Sequence, residues 1–514
     1  MFRFVRCSTL AVVALFISFH TPAALGQKPS RGVKAVGGVS PAPAAGADAS
    51  ARKAWLAKRI DALIKDSKRL RRARIGILVK DLKTGDVLYG KDANGSYNVA
   101  SNVKIVTTAA ALALLGPGYS YRTSFMTKKR EAGGIIDELY VRGRGDPSIG
   151  TAELLEMVER LRLRGVREIK GGITIDDTYF DDVVSPPHFA EKPKVQAAWR
   201  APVSALSLNY NAVVVSIRAK KEDSGKPTIR VFPRNSYVRI VNKVDVVTSG
   251  RTNVRVDVKT RAKFMELKFS GRMRKNQPQR YKYRIASPRH YFGTALRRML
   301  VKRGIKVGRR ELRARKLRGR LKTLVLRKSP AMAELLRGLG KYSNNYVAEV
   351  ALKTIGARKK EGRGSATWND GLRAVRGYLV KTVGLKASAF RYGNGSGLFN
   401  SNRFTPRQLV KVLTTAHGDF RYGPDLAASM ATAGIDGTLR KRMRRTTATG
   451  RVRAKTGTLA KASALSGYAG KTSQHQLAFA IVINDMHHGL RTKRDARLLQ
   501  DHIAQALVAY LPGN

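Results

Sequence analysis

The sequence predicts an α/β protein: an antiparallel sheet flanked by helices, a helical lobe, and a large β-rich insertion that splits the body. Three observations point there. Leu56, Ile60, Leu63 and Ile64 form an apolar helical stripe bordered by Lys and Arg; Ile75–Val79 and Val87–Tyr89 follow as a hairpin across Lys-Thr-Gly-Asp. Near the other end, Ala464–Gly470 and Leu477–Ile483 are short apolar runs broken by Gly and polar turns, the pattern of adjacent antiparallel strands. Between them, from about Gly150 to about Lys322, the chain turns to strand-like runs such as Ala212–Ile217. With 514 residues, 43% of them hydrophobic, the chain suits two or three domains with an ample core.

Taken in order, residues 1–26 combine Arg3 and Arg6, an apolar run from Leu10 to Phe19 and a small-residue site at Ala24-Leu-Gly26. This is the pattern of a secretory signal peptide, with cleavage expected before Gln27. The apolar run is too short to span a bilayer, and no later segment has eighteen consecutive apolar residues, so an exported, soluble mature protein is expected. The one cysteine, Cys7, lies in the segment removed and too early for lipid attachment. Disulfides, thiol catalysis and a thiolate metal site are thereby excluded from the mature chain. Residues 27–52, rich in Pro, Ala and Gly, read as a flexible linker. The body is expected over 53–150 and 323–514, with accessory domain(s) inserted at 151–322.

Ser101-Asn-Val-Lys104 opens an Ala/Leu-rich stretch that should be helical. Residues three apart share a helix face, so the Ser101 hydroxyl and the Lys104 amine can meet, beside N–H groups and the positive end of the helix dipole. A serine hydroxyl is a weak nucleophile until a base takes its proton. Lys104 serves only if burial and a nearby cation such as Lys455 depress its pKa. By itself the pair equally describes the start of an ordinary core helix.

Lys455-Thr456-Gly457-Thr458 lies just before the two final strands, which places it on an edge strand where Gly457 lets a substrate backbone approach. Lys455 and the Thr456 and Thr458 hydroxyls can hold a substrate carboxylate. The backbone N–H groups of Ser101 and Thr458 are the expected oxyanion hole. Ser343-Asn-Asn345 supplies a relay hydroxyl in Ser343, between Lys104 and the leaving amine, and a substrate amide partner in Asn345; a helix N-cap explains the same residues. Tyr342-Ser-Asn344 also fits the Y-x-N of class C β-lactamases. The long stretch between Ser101 and Ser343 exceeds what a compact β-lactamase body needs. Together the three motifs hold the groups required for acyl transfer through a serine ester.

S-x-x-K, S-x-N and K-T-G in this order resemble the motifs of penicillin-binding proteins and serine β-lactamases. The chain further resembles D-alanyl-D-alanine carboxypeptidase/endopeptidases of the class C low-molecular-mass penicillin-binding type. The strings that carry this run along nearly the whole mature chain: Val141–Ser148, Gly171–Phe180, Ala201–Asn211, Tyr291–Gly293, Gly393–Leu398, Asn402–Arg407 and Gly434–Leu439. The resemblance implies a serine β-lactamase/DD-peptidase-like body with extra domains between the first two motifs, and hydrolysis of D-Ala-D-Ala termini or cross-links in peptidoglycan stem peptides. It also implies acylation of Ser101 by β-lactams, no metal or organic cofactor, and a periplasmic or cell-envelope setting. Three departures stand out. Val99 replaces a usual Pro, and Asn394 replaces a usual acidic residue. Glu191–Arg200 stands where family members often carry acidic residues against a diaminopimelate amine, so that contact is not expected here.

The formal net charge is +64, with clusters at Lys68–Arg74, Arg309–Lys316 and Arg440–Arg445. Outside the cytosol such an excess points to carboxylate-bearing envelope polymers or anionic lipid headgroups, or to a merely solvated basic surface. No zinc-finger or aromatic RNA-binding pattern supports specific nucleic-acid recognition. His487-His488 falls after a strand, where adjacent side chains point opposite ways and do not share a metal. Asp176-Asp177 reads as turn structure, and Gly143-Arg-Gly145 lacks the further Gly of a phosphate loop. Two alternatives remain at this level: a serine β-lactamase, and a basic envelope-binding protein with a vestigial catalytic centre.

Overall fold

The computed structural model describes residues 48–191, 195–219, 225–261, 263–310, 312–314, 316–360, 363–487 and 489–512. The expected leader and most of the expected linker lie outside these residues. Six strands build the sheet of the body: β1 (Arg74–Asp81), β2 (Val87–Lys91), β3 (Ala431–Thr432), β4 (Val452–Thr458), β5 (Ser463–Gly470) and β6 (Gln476–Asn484). They lie in the order β3-β4-β5-β6-β1-β2, and every neighbouring pair is antiparallel. The N-terminal hairpin thus joins the C-terminal strands across the length of the chain, as Ile77 opposite Ile481 illustrates.

Strand β6 is apolar from Leu477 to Ile483 because both of its faces are covered. Leu477, Phe479, Ile481 and Ile483 pack with Leu56, Ile60, Ile503 and Leu507, from helices α1 (Ala49–Asp66) and the last helix, Leu490–Tyr510. Ala478, Ala480 and Val482 face the helical lobe, where small side chains let helices come close. At the lobe's centre is α2 (Val103–Leu115), whose first ten residues are all buried, Lys104 being the lone charge among them. A helix apolar all round has to be an interior helix. The expected linker ends earlier than Arg52: Asp48 caps α1 by accepting from the Ser50 and Ala51 N–H groups, which brings residues 49–52 into the helix.

The insertion contains four sheets. One has five strands in the order Arg313–Ala314, Ile173–Asp176, Leu139–Gly143, Arg122–Thr127, Lys322–Lys328; the others have three each. The five-stranded sheet straddles the boundaries expected at residues 150 and 323. Arg122–Thr127 pairs with Lys322–Lys328, closing the insertion where it leaves and rejoins the body. Two further helices complete the framework of the site, α3 (Met332–Tyr342) and α4 (Asn345–Lys359). Buried Lys353 on α4 bonds Asp181 at 2.5 Å and the Val183 carbonyl at 3.0 Å, and lies 4.6 Å from the Trp368 ring. The helix that follows Ser343 is therefore pinned to a loop of the insertion. No helix among the described residues is long and apolar enough to cross a membrane.

Candidate active site

Ser101 sits in a 3-10 turn, Ala100–Asn102, that runs directly into α2. Ala100 holds a left-handed φ of 47° to make the turn. Hydrogen bonds fix it from several sides: the Asn98 side chain accepts from the Ala100 N–H at 3.0 Å, and Asn484 on β6 holds the Asn98 backbone at both ends. Buried Asn102 donates to Ser466 on β5 at 2.7 Å.

One turn further on, the Lys104 amine lies 2.9 Å from Ser101 Oγ, 2.8 Å from Asn345 Oδ1 and 2.5 Å from the Ser396 carbonyl. The orientation of the Asn345 amide follows from its other end, which donates to the Trp199 carbonyl at 3.1 Å. Lys104 is fully buried, and its pKa lies well below the ordinary amine value. Burial is the main cause and the Lys455 cation adds to it, while the Glu349 carboxylate opposes. A neutral amine has two N–H groups and one lone pair. Asn345 Oδ1 and the Ser396 carbonyl are obligate acceptors, so in the neutral form of Lys104 they take both N–H groups and the lone pair is left for the Ser101 hydroxyl.

Ser343 ends α3 in a left-handed conformation, φ 57°, and Asn344 caps α4 by accepting from the Val347 N–H. That sharp junction decides between the two overlapping motifs. Asn344 is spent as the cap and Tyr342 is 72% exposed, whereas Asn345 reaches Lys104. Ser343 Oγ accepts from Lys455 Nζ at 2.9 Å, so its described partner is Lys455 and not the Lys104 anticipated from the motif order. Accordingly, Tyr342→Phe is expected to leave the rate of the reaction at Ser101 nearly unchanged, while Ser343→Ala lowers it; steady-state kinetics on the two variants would expose the reverse assignment.

Lys455 lies on β4 and is buried; burial brings its pKa down to about 7. Beyond the two-residue contact with β3, the outer edge of β4 is unpaired in the sheet from Lys455 to Thr458. Thr456 donates to Thr438, and Thr458 is exposed. Gly457 has a use beyond the one expected. A Cβ there would sit 2.9 Å from the Val99 carbonyl and 3.2 Å from Ala100 Cβ, so the glycine admits the turn that carries Ser101. Gly397 does the same from the other side: at φ +79° its Cβ would meet the Ala100 carbonyl at 2.0 Å.

Several participants carry no sequence signal of their own. Glu349, one turn beyond Asn345 on α4, is buried and accepts from the Gly395 and Ser396 N–H groups at 3.2 and 2.8 Å. It thereby places the Ser396 carbonyl that Lys104 touches. Asn394, where an acidic residue was anticipated, donates to the Leu398 carbonyl and Ser401 and accepts from the Gly397 N–H. A carboxylate could not make the two donations, so the departure suits this turn. Of the residues expected elsewhere, Asp176 and Asp177 pair with Arg142 and Arg289 and serve the insertion's structure.

Comparison with known proteins agrees with this geometry. The chain is 31% identical over 504 residues to a D-alanyl-D-alanine carboxypeptidase from Actinomadura sp. (strain R39), covering 92% of this chain and 88% of that one. It is 23% identical over 438 residues to the D-alanyl-D-alanine carboxypeptidase DacB of Haemophilus influenzae, covering 82% and 88%. The crystal structure of penicillin binding protein 4 (dacB) from Haemophilus influenzae superposes with a TM-score of 0.73 at 22% identity, over 86% of this chain and 97% of that one. Residues 56–507 match the family description as a whole, and the chain belongs to the D-Ala-D-Ala carboxypeptidase 3 (S13) family.

Proposed function

We propose that this serine D-Ala-D-Ala carboxypeptidase works through an ester on Ser101 and acts, after export, on peptidoglycan stem peptides. The observation that carries the reading is the buried Lys104 amine, 2.9 Å from Ser101 Oγ and held by Asn345 Oδ1 and the Ser396 carbonyl. Ser101 attacks the carbonyl of the penultimate D-alanine as Lys104 takes its proton. The oxyanion lies between the Ser101 and Thr458 N–H groups. Ser343 gives its proton to the nitrogen of the departing D-alanine and recovers one from the lysine pair, which holds the proton taken from Ser101. The peptide C–N bond breaks and the ester remains. Water, deprotonated by Lys104, then attacks the ester, and the proton returns to Ser101 Oγ. Asn345 bonds the substrate amide, while Lys455, Thr456 and Thr458 hold the terminal carboxylate.

The same centre accepts D-centre cross-links as an endopeptidase. β-Lactams acylate it because their strained amide stands in for the scissile bond. We place the inserted region at 122–328, from the strand pair that closes it. The net charge of +64 favours residence on carboxylate-bearing polymers or anionic headgroups of the envelope.

Fluorescent-penicillin labelling of the purified mature chain beside Ser101→Ala tests this. A long-lived adduct absent from the variant is the expected result. An adduct lost within seconds would make the protein a β-lactamase, and no adduct on folded protein would remove Ser101 as the nucleophile.

A further inference from the structure

The inserted region contains an unclosed seam. One of its three-stranded sheets runs Val238–Val247, Met265–Arg274, Asn253–Thr260, and another runs Gln279–Arg284, Ala212–Arg218, Thr228–Phe232. Their inner faces share one apolar core, to which Leu267 and Phe269 contribute from the first sheet and Val213 and Val215 from the second. On one side the sheets are tied together: the Val246 N–H donates to the Gly225 carbonyl and Asn242 to the Pro227 carbonyl, both at 2.8 Å. On the other side the outer strands, Asn253–Thr260 and Gln279–Arg284, face each other across a cavity of about 530 Å³. Val254, Val256, Val258, Tyr281 and Tyr283 line it, the two tyrosine ring centres lying 6.3 and 6.4 Å from that of Phe269.

An outer strand has one row of backbone N–H and C=O groups with no strand beside it, a ready template for another chain. The protein itself uses a little of this edge. Ala197 bridges antiparallel to Tyr283, and the Gln196 carbonyl accepts from the Arg284 N–H at 3.0 Å. Among the described residues no strand continues that pairing along Gln279–Tyr281 or takes up the free edge of Asn253–Thr260. Side chains alternate on both strands, the half-buried ones on the cavity side and the exposed ones outward. The outward charges are uneven. Asp257 lies opposite Lys268 and Lys259 opposite Glu266, whereas Arg255, Arg280 and Lys282 lie opposite Ser270, Ser216 and Val214. These three cations are exposed and have no ion-pair partner among the described residues.

We propose that this seam is a docking surface for an extended segment of a partner protein that alternates apolar and acidic residues. The segment adds a strand to the free edge of Asn253–Thr260, where backbone pairing supplies affinity and alternate side chains supply selectivity. Its apolar side chains enter the cavity among the three valines and two tyrosines. Its acidic side chains stand outward beside Arg255, Arg280 and Lys282, as opposite charges on neighbouring strands prefer. Cations on an edge strand commonly guard it against self-association, and here they do so: a second copy would set the same three charges against their own kind. That guard does not turn away an acidic strand. Gln196, on the cavity wall, is three residues before Trp199, whose carbonyl accepts from Asn345, so a docked partner is held next to the catalytic body.

The test uses the mature full-length chain and fluorescent peptides of about eight residues, the length of an ordinary strand. One alternates Val and Glu, one has the same composition in two blocks, and one alternates Val and Lys. Fluorescence anisotropy at physiological salt should show the alternating acidic peptide binding at least about tenfold tighter than its block isomer, with the Lys peptide weakest. Amide hydrogen exchange should slow over 253–260 when it binds. Reversing the three charges together (Arg255→Glu, Arg280→Glu, Lys282→Glu) should turn the preference toward the Val-Lys peptide. Equal binding of the two acidic isomers would show that only the overall charge acts, and overturns the proposal. Protection confined to other segments, or no binding at all, overturns it as well. So does self-association of the peptide-free wild type with 253–260 protected, since the seam would then join copies of this chain. The comparison of isomers on the wild type stands even if the triple variant does not fold.

Discussion

Lys104→Ala lowers the rate of Ser101 acylation about a thousandfold, the middle of the range for loss of a general base. The described partners of Ser101 Oγ are the Lys104 amine at 2.9 Å and the Ser396 carbonyl at 3.4 Å. A carbonyl oxygen does not take up a proton at neutral pH, so among the described partners of Ser101 Oγ only Lys104 can. Stopped-flow acylation by penicillin measures the step without product release; a loss smaller than tenfold would show that another group is the base. The pH dependence has a definite sign. Burial, and secondarily the Lys455 charge, depress the Lys104 pKa, so acylation rises with pH and levels off well below the range of an ordinary amine. On the role proposed for Lys455 the requirement is opposite, since it would hold a carboxylate only while charged. With its pKa brought down to about 7 by burial, kcat/KM for the free enzyme falls as pH rises past that value. Lys455→Arg keeps the charge and removes the alkaline limb; an unaltered limb in that variant would assign it to some other group.

Side chains that act in person were the legible part of this site. Ser101 and Lys104 could be paired because a three-residue spacing on a helix admits one geometry, and the 2.9 Å contact realises it. The choice of Ser343/Asn345 over Tyr342/Asn344 was argued from the long stretch between the motifs; its local cause, a left-handed φ at a residue other than glycine, is not written in the string. Ser396 contributes a backbone carbonyl, which any residue possesses, and so leaves no mark in the sequence. Gly457 was legible as a close approach, and the turn that carries Ser101 is one body that approaches it, which the string does not show. In the same way the runs between Gly150 and Lys322 announced strands, whereas the inclusion of Arg122–Thr127 depends on a ladder to Lys322–Lys328 that no local pattern encodes.

Glu349→Gln is expected to cost on the order of 3 kcal/mol of stability, read as a shift of the denaturation midpoint at constant slope. Both carboxylate oxygens are engaged, one by the Gly395 N–H and one by the Ser396 N–H. An amide of the same shape turns an NH2 group toward one of those donors, and the buried N–H loses its acceptor. Glu349→Ala orphans both donors and leaves a cavity, so it should be worse. Activity falls with either change, because the turn that carries the Ser396 carbonyl holds one N–H of Lys104. A purely structural role would end there. Glu349 also bears the charge that favours the ammonium form of Lys104, against burial and against Lys455. Removing it lowers the Lys104 pKa further. The acid limb of the acylation rate should therefore move to lower pH in Glu349→Gln, even as the plateau drops. Burial raises the pKa of Glu349 itself, while the two backbone donors and Lys104 pull it down. If the acid limb stayed where it is in the wild type, Glu349 would be neutral in the working enzyme, and its contribution would reduce to holding the turn.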